Sequence, residues 1–591
     1  MSKPKPSDAS SDHELRPTDP STLKRNYLPK TFRITSWEDL EQHFHELLNR
    51  EIHSLSDLKQ WILDRSEVDA AATEEFARRY INTTRDTRRK DFLESFQFFA
   101  ETITPKLSNV GNELNLKMLA SPFLTDLENG DLHVYIRSVR NETELFRDEN
   151  VPLFTQIELA DQEYNTLIGA MTIEHEGKTL TMPQAAKVLK SDDRTLRETI
   201  YRKIAARRIQ DRDKLDDIFD RMLGLRQAIA RNAGFDNYRD YAFRAKERFD
   251  YTPQDCLDFH AAIRQEIVPV IATFNEQRRQ ALGIDTLRPW DTEVDEDGKA
   301  PLQPFTDEAD LIQRSINCFN KLDPYFGNCL SEMKSRGFLD LESRVGKGAG
   351  GYNYPLVETG IPFIFMNCSG TMRDVVVLMH EGGHAIHSFL TADIHPYYCR
   401  QTPHEVAELA SMTMELFSMA HMQETFDLSD ADYNRALTEK LKDAIELFPW
   451  VAAVDAFQHW LYTHEGHTRE ERRNAWKQLM NEFGSTATGI DWSGLEENLD
   501  HLWHKQGHIF SVPFYYIEYA IAQLGALAMW KNFRTDRQAS LNAYKNALKL
   551  GATKDIREVY ETAGISFSFS KAHMEDVISF ARQHIPDEVQ S

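Results

Sequence analysis

The sequence predicts a mainly α-helical protein with a small β-sheet, and three observations lead there. Apolar residues recur at three- and four-residue spacing along most of the chain. Period-two runs are few and short. At 591 residues with 41% hydrophobic content, the chain can bury the core of several domains or of one large two-lobed molecule.

In chain order, residues 1–30 are rich in Pro, Ser and Asp and are expected to form a disordered tail. Helical spacing then covers residues 37–65, 74–124, 161–170, 182–232, 252–282 and 307–336, interrupted by Gly and Pro. A hairpin is expected near 171–180 and a short strand at 338–341. The run 362–368 is apolar, β-prone and bounded by Pro and Gly, which suits a further strand. If its edge, Phe363, Ile364, Phe365, Met366 and Asn367, is free, it can pair with an extended peptide through main-chain hydrogen bonds. The loop 346–351, GKGAGG, lets backbone approach a ligand closely or hinge. It lacks the GxxxxGK[ST] pattern of a phosphate loop.

An HExxH motif, His380 to His384, follows the apolar run 375–379. Residues four apart stack on a helix, so His380 and His384 aim two imidazoles at one spot. Glu381 sits beside them, able to reach a water on a bound metal and act as its base. Catalytic zinc usually takes three protein ligands and keeps a fourth position open, so a third is required. It is not a histidine of an HExxHxxGxxH pattern, because Leu390 and His387 stand where that pattern needs His and Gly. Downstream, a helix begins at the Thr402-Pro403 pair and carries Glu405, Glu408 and Glu415. Glu408 and Glu415 share one face with Ser411 and Met412, so one can ligate while the other orients a ligand imidazole.

These residues resemble the M3 family of zinc oligopeptidases, which includes thimet oligopeptidase and, more closely, the oligoendopeptidase F group. Residues 408–415 (ELASMTME) resemble the family's ligand segment, and His387 matches a His that follows HExxH there. The Gly-rich loop, the 362–371 segment and 508–520 (HIFSVPFYYIEYA) resemble further family segments in the family's order. The resemblance implies a two-lobed, zincin-type fold with a deep channel. It implies a helical lobe at 31–200 and a catalytic lobe at 201–585, the segment from Ser191 to Tyr241 being similar to the junction between them. One zinc per chain would be held by His380, His384 and Glu408, with Glu415 and His387 behind them. Substrates would be short, unstructured peptides cut at internal bonds. Gly382 departs from the bulkier residue common in the family, at about 1 kcal/mol of helix propensity relative to Ala.

Peptide hydrolysis places negative charge on the carbonyl oxygen, and imidazole or phenol donors can stabilise it. His508, Tyr515, Tyr516 and Tyr519 are candidates. The pairs 515/519 and 516/519 can each share a helical face. The interval from His384 to Glu408 also suits peptidyl dipeptidases or other exopeptidases acting at a free C-terminus. A non-catalytic peptide-binding protein is the third reading, and it is weakened because neither Glu381 nor a ligand is lost.

A net charge of −24 argues against nucleic-acid binding. Five cysteines, scattered and without CxxC spacing, fit a reducing compartment. No apolar run approaches a membrane span and residues 1–28 lack a signal-peptide core, so a cytoplasmic location is expected. Oligomeric state is not legible. His501, His504 and His508 recur at helical spacing but have Lys505 among them, which argues against a metal cluster, and the acidic stretch 291–298 reads as a solvated loop rather than a calcium loop.

Overall fold

The computed structural model describes residues 14–15, 19–128 and 130–586. Helices dominate, and the strands among the described residues form two small sheets. β1 (Thr172–His175) and β2 (Lys178–Thr181) make the expected antiparallel hairpin. Its turn residues Glu176 and Gly177 sit at φ of 50° and 72°, the left-handed pair that a two-residue hairpin loop requires.

The second sheet is built from β3 (Leu339–Asp340), β4 (Tyr352–Tyr354) and β5 (Phe363–Phe365), in the order β3-β5-β4. β5 pairs parallel with β3 and antiparallel with β4. The sequence predicts a free edge at 363–367, and this is corrected: the strand exists but is central. Phe363, Ile364 and Phe365 are fully buried, Met366 gives its N–H to Asp340, and Asn367 donates to the carbonyls of Gly348 and Gly350. Three consecutive apolar residues signal burial on both faces, which is the mark of an inner strand. The edges are β3 and β4.

The chain divides into two compact units, each drawing on three stretches. One comprises Met1–Thr143, Leu302–Ala436 and Gly525–Phe567; the other comprises Glu144–Pro301, Leu437–Leu524 and Ser568–Ser591.

In the first unit, the N-terminal helices pack around Trp61, whose indole N–H donates to the Leu47 carbonyl. The helix break expected between residues 65 and 74 is absent. One helix runs Leu55–Arg85, capped by the Ser54 hydroxyl, which accepts from the Asp57 N–H. Within that span Ser66 serves a tertiary contact, accepting from the Tyr397 N–H. The disorder expected through residue 30 does not hold for residues 19–30. Leu15, Leu23 and Leu28 are buried, and Glu67 accepts from the N–H groups of Asn26, Tyr27 and Leu28. Average composition hid three anchoring leucines; the rest of the expected tail, residues 1–13 and 16–18, lies outside the described residues.

In the second unit, the acidic stretch 291–298 departs from a purely solvated loop. Asp291 is fully buried and bonded by Arg194 and Arg197, so the first residue of the stretch is an interior anchor while Asp297 and Gly298 face solvent.

Candidate active site

Two helices of the first unit carry the metal motif. The HExxH helix, Met372–Thr391, starts with a capping box in which Asp374 accepts from the backbone of Thr371 and Ser369. The second, His404–Thr425, begins after Pro403, as the Thr-Pro signal predicts. Two glycines let them and their neighbours come close. A Cβ at Gly383 would lie 2.6 Å from the Ser411 Cα and 2.7 Å from the Ala410 carbonyl oxygen, so only glycine permits this crossing. A Cβ at Gly382 would lie 2.6 Å from the ring of Phe319, on the helix Glu308–Leu322. The departure from the family pattern at Gly382 is therefore filled by a neighbouring aromatic ring.

The crossing brings His380, His384 and Glu408 together, with ligand atoms all within 4.8 Å of one another. Glu408 Oε2 lies 3.4 Å from His380 Nε2 and 3.8 Å from His384 Nε2. A tetrahedral zinc ion with bonds of about 2.0–2.1 Å sets its ligands roughly 3.3 Å apart, so the spacing fits that ion. Two imidazoles and a carboxylate are a donor set suited to catalytic zinc. The His380 and His384 side chains remain 24% and 20% exposed, which keeps a face of the group reachable.

Supporting bonds fix the ligands. Glu415 Oε1 lies 2.6 Å from His380 Nδ1, which leaves Nε2 as the free donor toward the metal. Ser411 donates to Glu408 Oε2 at 3.0 Å. Glu415 thus holds the His380 ring and Glu408 joins the group that could hold a metal, while Glu405 is buried but falls outside that group.

The electrostatics of the two imidazoles diverge. Burial disfavours a charged His380, yet Glu415, Glu408 and Glu381 outweigh it and raise this imidazole to about 9. Burial and then the charge on His380 hold His384 well below its ordinary value. Without metal the group stores one proton on His380, and an ion must displace it. Glu381 is pushed up to about 7, first by burial and then by Glu408 and Glu415, with His380 opposing. A divalent ion beside it would draw it back down. His387, one turn beyond His384, is buried and held at about 4 by that burial, hence neutral, and its Nε2 has no hydrogen-bond partner among the described residues.

β4 approaches the HExxH helix through Asn353, whose amide donates to the Glu381 carbonyl at 3.2 Å. No local sequence signal identified this link or Phe319.

The remaining candidates lie in the second unit and cluster there. The His508 ring is 4.7 Å from Tyr516, 5.8 Å from Tyr515 and 6.0 Å from Tyr519, and Gln506 bonds its Nδ1 at 2.7 Å. The helix begins only at Ile517, so Tyr515 and Tyr516 precede it in a turn around Phe514, at φ 64°, and their rings meet Tyr519 at 5.1 and 5.6 Å from that turn rather than along one helix. His504 lies 3.1 Å from Asp216, so its carboxylate comes from a distant helix rather than from nearby sequence.

Residues 187–577 match the model of Peptidase family M3, and residues 29–146 match the Peptidase M3 N-terminal domain. An oligoendopeptidase F homolog of Lactococcus lactis subsp. lactis is 23% identical over 236 residues, 40% of this chain and 38% of its own length. The group B oligopeptidase PepB of Streptococcus agalactiae is 23% identical over 406 residues, 66% of this chain and 63% of its own. The matched stretches thus span less than two thirds of these curated relatives. Among solved structures, PZ peptidase A with an inhibitor is similar at a TM-score of 0.84 and 25% identity, over 93% of this chain and 97% of that one.

Proposed function

The chain belongs to peptidase family M3, and on that footing we propose that it is a zinc-dependent oligoendopeptidase cutting internal bonds of short, unstructured peptides. The observation that carries this is the convergence of His380, His384 and Glu408, with Glu415 fixing His380 and Glu381 alongside. A zinc ion held there supplies a Lewis acid that polarises the scissile carbonyl and acidifies water. Glu381, beside the metal-binding group, would take the proton of the attacking water and pass it to the leaving amine. His384, kept neutral, offers a lone pair without first losing a proton. His387 backs the same helix. His508, Tyr515, Tyr516 and Tyr519 are proposed as donors to the developing oxyanion, a role supported by their clustering and by family resemblance.

Because β5 is central, main-chain pairing with substrate is assigned to the β4 edge, Tyr352–Tyr354, after the Gly-rich loop. The catalytic region is taken as 201–585, a division supported by the match over 187–577. No helix among the described residues is long and apolar enough to cross a membrane. A cytoplasmic location with peptides, rather than nucleic acid, as partners completes the proposal.

The test is cleavage of a mixed library of short peptides by wild-type protein and by Glu381→Gln, with metal counted in both. Internal cuts and a loss of at least ~10²-fold in the variant, with its zinc retained, support the assignment. Cuts confined to the C-terminal dipeptide move it to an exopeptidase. No cleavage by either protein, despite bound zinc, leaves a peptide-binding protein.

A further inference from the structure

A second set of donors lies in the other unit, on two helices that the mechanism does not use. The helix Pro253–Glu266 carries Cys256 and His260, four apart; the helix Asp430–Thr463 carries Asp455 and His459, also four apart. The helices pack through Phe259 and Phe448, whose rings meet edge to face at 6.3 Å. Each helix thus presents two stacked side chains to the other. Cys256 Sγ, a carboxylate oxygen of Asp455 and a ring nitrogen of His459 all lie within 4.8 Å of one another. Cys256 and Asp455 are fully buried, and His260 and His459 are 3% and 4% exposed.

The hydrogen bonding in this cluster is incomplete in a particular way. His260 Nε2 lies 2.9 Å from Asp455 Oδ2 and satisfies that oxygen. His459 Nε2 is 3.2 Å from the same oxygen but outside hydrogen-bonding geometry. Both ring nitrogens of His459 and Asp455 Oδ1 are buried with no hydrogen-bond partner among the described residues. Native interiors rarely leave three such atoms together unmatched, and an ion or water is the usual explanation.

We propose that Cys256, Asp455 and His459 form a second zinc site, with His260 as the positioning residue that orients Asp455. A thiolate, a carboxylate and a neutral imidazole bring two negative charges to a divalent cation, so the buried group is neutral overall. Sulfur and nitrogen donors favour zinc over magnesium or calcium. His260 plays the supporting part that hydrogen-bonded partners play at metal carboxylates. A cavity of about 670 Å³ borders His260 and His459, and from that side a water would complete the ion's coordination. The ion fastens the Pro253–Glu266 helix to the Asp430–Thr463 helix. Nothing in this inference depends on the first triad or on peptide cleavage.

The two sites differ in that only the second contains sulfur. Full-length protein is stripped, reloaded with cobalt(II) or zinc and dialysed, as wild type, His384→Ala, and His384→Ala with Cys256→Ser. The expected result is about two metal ions in wild type and about one in His384→Ala. In the cobalt form of His384→Ala a thiolate-to-cobalt charge-transfer absorption remains, and it is lost in the double variant while far-ultraviolet circular dichroism is unchanged. Should the double variant not fold, His384→Ala decides alone. Loss of all metal in that variant, or a retained ion without the thiolate absorption, overturns the proposal while leaving the peptidase reading intact.

Discussion

A methyl group at position 382 would meet the Phe319 ring, itself 1% exposed, at 2.6 Å, so the smallest residue at the centre of HExxH is matched to the largest beside it. Gly382→Ala gains about 1 kcal/mol of helix propensity but overpacks the core by about 1–3 kcal/mol. The expected outcome is a lower thermal midpoint, partly restored by adding Phe319→Leu. A variant as stable as wild type would show that the ring moves freely. Glu415 acts on His380 at the same scale. Because the raised His380 holds its proton up to about pH 9, zinc affinity should climb by up to about tenfold per pH unit below that value and level off above it. Glu415→Gln removes the main carboxylate that sustains the proton, so its affinity, measured against a competing chelator, should fall about 10- to 100-fold at high pH with a shallower pH slope. An unchanged slope would place the proton elsewhere.

The elements that frame the metal group are held by buried charge as well as by packing. Asp340 on β3 pairs with Arg85 at the end of the Leu55–Arg85 helix and with Arg344, and it accepts from Lys347 of the Gly-rich loop, each at 2.8 Å. The Lys347 side chain is completely buried and also donates to the Met366 carbonyl. One carboxylate thus ties a helix end, the sheet and the loop before β4. Burial alone would raise its pKa, but the cations hold it well below the usual carboxylate range. A carboxyl depressed in this sense adds stability that is fully present above its unfolded value near 3.9 and is lost as pH falls through the lower folded value. Asp340→Asn leaves buried cations unpaired and should destabilise by about 3–5 kcal/mol at pH 7. The gap in unfolding midpoint between variant and wild type should narrow below about pH 4. A gap independent of pH would mean that packing, not charge, supplies the effect.

At the scale of the whole molecule, a net charge of −24 sets a field that any peptide must cross. Basic peptides should show a kcat/KM about tenfold above that of acidic peptides of equal length at low salt, and the ratio should fall toward one as the Debye length shrinks to about 3 Å near 1 M salt. A salt-independent ratio would assign the preference to contacts instead. Much of the site was legible from the chain alone. The grouping of His380, His384 and Glu381 follows from helical spacing within five residues, whereas spacing left Glu405, Glu408 and Glu415 in competition and only the family resemblance singled out Glu408. The helical class and the 172–181 hairpin follow likewise, because periodicity and turn chemistry are properties of neighbouring residues. Other features depended on which distant surfaces meet. Tertiary structure decided that β5 is inner and β4 an edge, that Phe319 fills the space at Gly382, that three leucines anchor the N-terminal segment, and that Cys256 lies beside His459. Each of these is a contact between segments far apart in sequence, and local periodicity carries no information about such partners.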